Sequence, residues 1–167
     1  MGAAVAIMLS AACTGGMVYH HYEQAPKEGL SQYDTLHFAV KPMAKADVLH
    51  EEVELRIGND FNYQGLSLVV EQTTLPSGHF RRDTLNCSLI DEDGMVKGTG
   101  RNVFQYHFHL TDISLEKGDS LDIAIHHIMR REVITGIRDI GISLSSRKVA
   151  AGINAQEDEQ QKGETPQ

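Results

Sequence analysis

Tryptophan is absent from this sequence, and only two of its 167 residues are cysteines. Without tryptophan, and with aromatic residues at 6%, a carbohydrate platform of stacked indole rings is not expected. If Cys13 carries a lipid, Cys87 has no partner for an intrachain disulfide. The fold must then depend on its hydrophobic core.

Positive charge is also scarce. Lys and Arg number 15 against 23 Asp and Glu, which leaves a formal net charge of −8. Such a surface repels the phosphates of nucleic acids and gains little from the release of their counterions. We therefore expect no nucleic acid partner.

Motifs of several common catalytic sites are missing as well. The sequence has no Gly-x-Ser-x-Gly nucleophile elbow. Gly98-Thr99-Gly100 lacks the Lys-Ser/Thr pair and the helix that complete a phosphate-binding loop. Cys87 lies in an apolar stripe, where burial makes a thiol inert. We therefore expect no enzymatic activity, no cofactor and no small-molecule substrate.

The apolar N-terminus ends in Leu9-Ser10-Ala11-Ala12-Cys13. Small residues before a cysteine are typical of a bacterial lipoprotein signal, because they let a signal peptidase hold an extended backbone close to its active site, and the cysteine thiolate supplies the nucleophile for acylation. Residues 1–12 carry no Lys or Arg, so the basic region of a signal peptide is missing. The stretch is shorter than the roughly 20 apolar residues of a membrane span. We predict a signal peptide over 1–12 and a lipid on Cys13.

Thr14-Gly15-Gly16 follows the cysteine without an acidic cluster of the kind that marks surface export in some bacterial lipoproteins. This favours an anchor in the outer membrane that faces the periplasm. Beyond it, residues 13–32 are rich in Gly, His and Tyr, and we interpret them as a tether. Residues 148–167 have too little apolar mass to offset the entropy cost of ordering, which predicts a disordered tail.

Residues 33–147 are predicted to form one sandwich domain, because seven short runs in this range alternate between apolar and polar positions. Turn residues such as Asp91-Glu92-Asp93-Gly94 separate the runs. The pattern predicts an all-β fold, an antiparallel β-sandwich of the jelly-roll type. The runs are Leu36 to Val40, Leu49 to Ile57, Leu66 to Val70, Leu85 to Leu89, Phe104 to Leu110, Leu121 to Ile125, and Ile140 to Leu144.

Histidine is frequent, and His107 and His109 lie two apart on one predicted strand. They share a face and could approach one zinc ion, but a third ligand would have to come from another strand. We interpret them as part of a polar strand face and predict no metal site. The acidic turn at Asp91 lacks the bidentate Glu of an EF-hand calcium loop.

Several segments together, in this order and spacing, resemble the gliding-motility-associated lipoprotein GldH family of Bacteroidetes. The resemblance covers roughly residues 13–145, and it departs from the family at Leu30, where members often carry Trp. It implies a lipid-anchored envelope protein of the gliding and type IX secretion machinery, without an established catalytic residue. The segments are Val18 to Tyr22, Asp34 to Val40, Leu55 to Leu66, Arg82 to Leu85, Leu89 to Gly94, Gly98 to Gly100, Met129 to Arg130, and Gly136 to Gly141.

Our first functional hypothesis is therefore a non-catalytic lipoprotein module. It would contact the membrane through the lipid on Cys13 and bind other envelope proteins. Residues predicted to contact such partners are Phe61, Tyr63, Arg82 and Arg130.

Two alternatives remain open at this stage. The first is a sandwich that binds a glycan or another ligand through exposed aromatics, either Phe61 and Tyr63 or Tyr19 and Tyr22; it rests on fold analogy. The second is a metal-dependent enzyme that uses His107 and His109.

Overall fold

The computed structural model describes residues 16–146, which form an all-β fold. Within this range no helix is long and apolar enough to cross a membrane. The predicted signal peptide, Cys13 and the predicted tail of residues 148–167 lie outside the described residues. The strands are β1 Met17–Gln24, β2 Leu30–Ser31, β3 Leu36–Val40, β4 Asp47–Gly58, β5 Gly65–Leu75, β6 His79–Ser88, β7 Thr99–Gly100, β8 Val103–Leu115, β9 Ser120–His127, β10 Val133–Ile134 and β11 Ile137–Ser146.

The strands form two main antiparallel sheets. One has the order β1-β11-β4-β8-β7 and the other β3-β9-β5-β6, while β2 and β10 form a separate short ribbon. The chain changes sheet at each connection between successive long strands, except at the β5–β6 hairpin. This strand order is that of a jelly roll, as the sequence predicts.

One hydrophobic core lies between the two sheets and holds the sandwich together. Each strand that alternates in sequence turns its apolar side chains inward, as Val53 and Leu55 of β4 and Leu68 of β5 show, all 0% exposed. A fully buried side chain of this size stabilises the fold by about 1.5–3 kcal/mol. All seven predicted runs lie in or overlap strands, and most of the strands extend further than the runs.

The predicted tether over residues 13–32 is wrong for Leu30–Ser31, which forms β2, and for the longer segment Met17–Gln24. This segment is β1, which pairs with β11 from Met17↔Ser145 to Gln24↔Asp139. Its sequence lacks a regular apolar alternation because both of its faces are partly exposed at the edge of the sheet. Pairing with β11, rather than local sequence, makes it a strand.

The predicted turn at Asp91 is confirmed. The Asp91 side chain accepts hydrogen bonds from the backbone N–H of Asp93 at 3.0 Å and of Met95 at 2.8 Å. Gly94 adopts a φ of 80°, a conformation that residues with a Cβ rarely adopt. The Leu30 side chain at the start of β2 is buried in the core.

Candidate functional site on the outer face of the five-stranded sheet

Two of the residues predicted to bind partners, Phe61 and Tyr63, follow β4 and lie next to each other. Their rings meet edge to face with centroids 5.2 Å apart. Both are only partly exposed, and both pack against the core. The backbone of Gly136 approaches Phe61 so closely that a Cβ there would lie 2.5 Å from the Phe61 nitrogen. The pair therefore contributes to packing at this end of the sandwich.

The two predicted arginines lie on other elements. Arg82 is on the edge strand β6, where its Nε lies 3.5 Å from Glu71 Oε1 of β5. Arg130 is exposed in the segment between β9 and β10. Both side chains reach solvent, which is what a protein contact requires, but they do not form one cluster with the aromatic pair in the contacts observed.

The outer face of the five-stranded sheet concentrates titratable side chains in two rows that run across four strands. One row follows the pairing Tyr22–Gly141–Glu54–His107. The next follows His20–Ser143–Glu52–His109. We call this surface the histidine face; its members are His20, Tyr22, His50, Glu52, Glu54, His107, His109 and Asp112.

Glu54 is the most buried member of the histidine face, since its side chain is 5% exposed. Its Oε2 accepts hydrogen bonds from the Tyr22 hydroxyl and from His20 Nε2, the latter at 3.1 Å. The Tyr22 ring crosses Gly141 to reach it, and a Cβ at position 141 would lie 2.7 Å from that ring. The Arg56 guanidinium also lies over the Tyr22 ring, 3.8 Å from its centroid.

These contacts hold Glu54 in its ionised form. Burial alone would raise the pKa of the Glu54 carboxyl, but hydrogen bonds from Tyr22, His20 and Ser143 outweigh it and lower the pKa. Burial and the hydrogen bond to this carboxylate raise the pKa of Tyr22 to about 12. Glu54 is therefore an ionised carboxylate held in place by hydrogen-bond donors. The network of these hydrogen bonds joins β1 to β4 across β11.

The histidines predicted to share a face do so, but they belong to different groups. His107 lies beside Glu54, with 3.6 Å between Nδ1 and Oε1. The His109 ring instead stacks on the His50 ring, with centroids 4.2 Å apart and planes at 3°. His50 is supplied by β4, the neighbouring strand, which sequence spacing alone could not identify.

A second polar cluster lies inside the sandwich, near the edge where β6 approaches β8. Glu51 is 0% exposed and accepts a hydrogen bond from Gln72 Nε2 at 2.5 Å, across the two sheets. Arg81 of β6 donates to the Thr111 hydroxyl of β8 at 2.8 Å and so links the same two sheets. Burial raises the pKa of Glu51 to about 7, although Gln72 and Arg81 act against it. The sequence does mark Glu51 as a buried residue, because it occupies one of the alternate positions of β4 that otherwise carry the apolar, core-facing side chains.

Cys87 is buried, as its position in the apolar stripe predicts, and burial raises the pKa of its thiol to about 12. The thiolate needed for nucleophilic chemistry is therefore strongly disfavoured. A groove of about 320 Å³ lies between Tyr19 of β1 and the loop of residues 41–47. Its lining is mainly apolar and carries no arrangement of catalytic groups.

Comparison with known proteins gives one family. A family model described as GldH lipoprotein matches residues 17–144, a range that begins with β1 and ends within β11. No curated protein matches the chain.

Solved structures give only distant likenesses. An α-amino acid ester hydrolase is 10% identical with a TM-score of 0.35, over 80% of this chain and 31% of the hydrolase. Dimeric latent PorU from Porphyromonas gingivalis is 8% identical with a TM-score of 0.34, over 78% of this chain and 13% of PorU. Eiger TNF from S. frugiperda is 15% identical with a TM-score of 0.28, over 85% of this chain and 99% of Eiger TNF. The chain spans about a third of the hydrolase, and likenesses of this level carry no argument about activity.

Proposed function

Because the chain belongs to the GldH lipoprotein family, we propose that it is a non-catalytic, lipid-anchored interaction module of the gliding motility and type IX secretion machinery, or of a related envelope complex. The match over residues 17–144 is the observation that carries this proposal. It covers nearly the whole sandwich, so the family likeness includes both sheets and the histidine face.

The anchor proposed on Cys13 would hold the sandwich close to the membrane. Only residues 14–16 separate Cys13 from Met17, where β1 begins. The four Cα-to-Cα steps from Cys13 to Met17 span at most about 14 Å when the chain is fully extended. Three acyl chains on a mature lipoprotein bind a bilayer firmly, whereas one chain binds only marginally. The end of the five-stranded sheet at which β1 starts would therefore face the lipid surface.

Outer-membrane attachment with the domain in the periplasm is part of the same proposal. It rests on the Thr14-Gly15-Gly16 sequence, which lacks acidic residues directly after the cysteine. In that position the opposite end of the sandwich, with the Phe61–Tyr63 pair and the exposed Arg130, points away from the membrane. Arg82 lies in mid-strand on the β6 edge and would be open to a partner from the side.

The direct test is affinity purification of the tagged, lipidated protein from the native envelope. Components of the gliding or type IX secretion machinery should co-purify after mild cross-linking. Charge reversal of exposed residues, Arg82→Glu and Arg130→Glu, should reduce their recovery, while Lys97→Glu on the loop before β7 serves as a matched control. Recovery of only those proteins that an unrelated tagged lipoprotein also brings down would overturn the proposal.

A further inference from the structure

A β-bulge brings metal-ligating residues of β8 to one face. Along β4, His50 and Glu52 are two residues apart and share the outer face. Their partners on β8 are Asp112 and His109, which are three residues apart. In a regular strand, residues three apart point to opposite faces. The register shift beside Glu51 and Glu52 inserts one residue and places both partners on the same side.

The resulting cluster is compact. His50 Nδ1 lies 3.0 Å from Asp112 Oδ1, and the His109 ring stacks on the His50 ring. One ligand atom from each of these three residues lies within 4.8 Å of the others. Two ligands on a tetrahedral zinc ion are about 3.3 Å apart, so closing the site requires shifts of at most about 1.5 Å, and the exposed His109 side chain has room to move.

We propose that His50, His109 and Asp112 bind a divalent transition metal of the zinc type. Two imidazoles and a carboxylate are a common ligand set for such an ion, and a fourth position remains for water or a partner's side chain. The His50 and Asp112 side chains are 38% and 30% exposed, so the ion reaches them from solvent.

A further carboxylate supports the site. Glu52 Oε1 lies 3.7 Å from His50 Nε2, on the other side of the ring from Asp112. When one ring nitrogen of a histidine holds a metal, the other usually donates its proton to a carboxylate, which fixes the ring and raises its basicity. A small movement of the Glu52 side chain would let it accept this hydrogen bond from the His50 N–H, and its negative charge favours a bound cation.

The neighbouring group of Glu52, Glu54 and His107 fits a metal less well. The three also have ligand atoms within 4.8 Å of one another. Glu54, however, is already held by Tyr22 and His20, and a metal would have to displace these hydrogen bonds. His107 therefore provides a matched control, because it lies two residues from His109 on the same strand and face.

Zinc titration of the full-length lipidated protein in detergent micelles, against a chelating indicator of known affinity, tests the site. We expect one Zn²⁺ per chain, with affinity lowered at least about tenfold by His109→Gln and by Asp112→Asn. His107→Gln should leave the affinity within about twofold of the parent. Circular dichroism establishes that each variant is folded, and the exposed His109 makes His109→Gln the safest substitution.

Cobalt gives an independent readout, since its visible absorption reports coordination by protein ligands. Co²⁺ should produce bands that His109→Gln weakens and His107→Gln does not. The proposal is overturned by absence of saturable zinc binding, by binding that His107→Gln weakens as much as His109→Gln does, or by preference for Ca²⁺ over Zn²⁺.

Discussion

Glu51 lies in the interior between the two sheets, where one of its carboxylate oxygens bonds to Gln72 and the other has no hydrogen-bond partner. Gln72 Oε1 is also buried without a donor. Both unpaired atoms are acceptors when Glu51 is ionised, and a proton on the carboxyl turns one of them into a donor. The folded protein therefore favours the protonated form.

This preference makes stability depend on pH in a defined direction. The pKa of Glu51 is about 7 in the folded protein, against 4.5 for an ordinary Glu. Its stabilising contribution is complete below pH 4.5 and is lost as pH rises through 7, because the unfolded chain releases the proton first. Between the low-pH limit and the high-pH limit, the contribution of Glu51 to the free energy of unfolding changes by about 3 kcal/mol.

We predict that Glu51→Gln raises the free energy of unfolding at pH 8 by up to about 3 kcal/mol and flattens its decline between pH 5 and pH 7.5. An uncharged amide removes the cost of ionisation and brings an N–H donor to the same place. Urea denaturation of both proteins across this range measures the effect, with Glu52→Gln on the outer face as the control. An unchanged pH slope in Glu51→Gln would contradict the prediction.

At the scale of elements, the join between β1 and the rest of the sheet depends on Gly141 of β11. The Tyr22 ring lies over this residue and carries its hydroxyl to Glu54 of β4. A side chain at position 141 would occupy the space of the ring. The edge strand is thus fixed by this aromatic contact and by the His20–Glu54 hydrogen bond as well as by its backbone ladder.

Gly141→Ala should destabilise the protein by about 1–3 kcal/mol, because a Cβ 2.7 Å from two atoms of the Tyr22 ring forces the ring to move. Thermal or urea denaturation measures this. In the background of Tyr22→Ala the same substitution should cost less, since the obstructing ring is gone. Equal costs in the two backgrounds would show that Tyr22 is not the cause.

Elements also differ in how far their sequence predicts them. β9, and β4 apart from Glu51 and Val48, alternate between apolar and polar residues, because one face meets the core and the other meets solvent, and both strands are predicted from the pattern. β1 is not, since its side chains are exposed or only partly buried on both faces. The sequence does not predict the bulge in β8 either, because the extra residue can be recognised only when the register with β4 is known.

At the scale of the whole molecule, only residues 14–16 lie between Cys13 and the start of β1, so the proposed anchor would hold the domain close to the membrane. Cys87 is remote from this role, because it is buried in the core. The two cysteines therefore provide a matched pair for testing lipid attachment.

Growth with a labelled fatty-acid analogue should label the parent protein and the Cys87→Ala variant, but not Cys13→Ala. Cys13→Ala should also leave the membrane fraction, because the proposed acyl chains supply the membrane affinity. Gel fluorescence and fractionation measure the two effects. Equal labelling of Cys13→Ala and the parent would contradict the lipid assignment, with the Cys87→Ala protein showing that loss of a cysteine alone has no effect.

The sequence by itself determines the all-β class, seven of the strand positions, the acidic turn at Asp91 and the burial of Cys87, because alternation and turn chemistry are local properties. It also carries the family likeness, which a match over residues 17–144 supports. The tertiary structure alone decides that β1 joins the sheet, that Glu51 is enclosed, and that His109 meets His50 and Asp112 rather than His107. These depend on strand pairing and register, which bring together residues far apart in the chain and leave no local pattern.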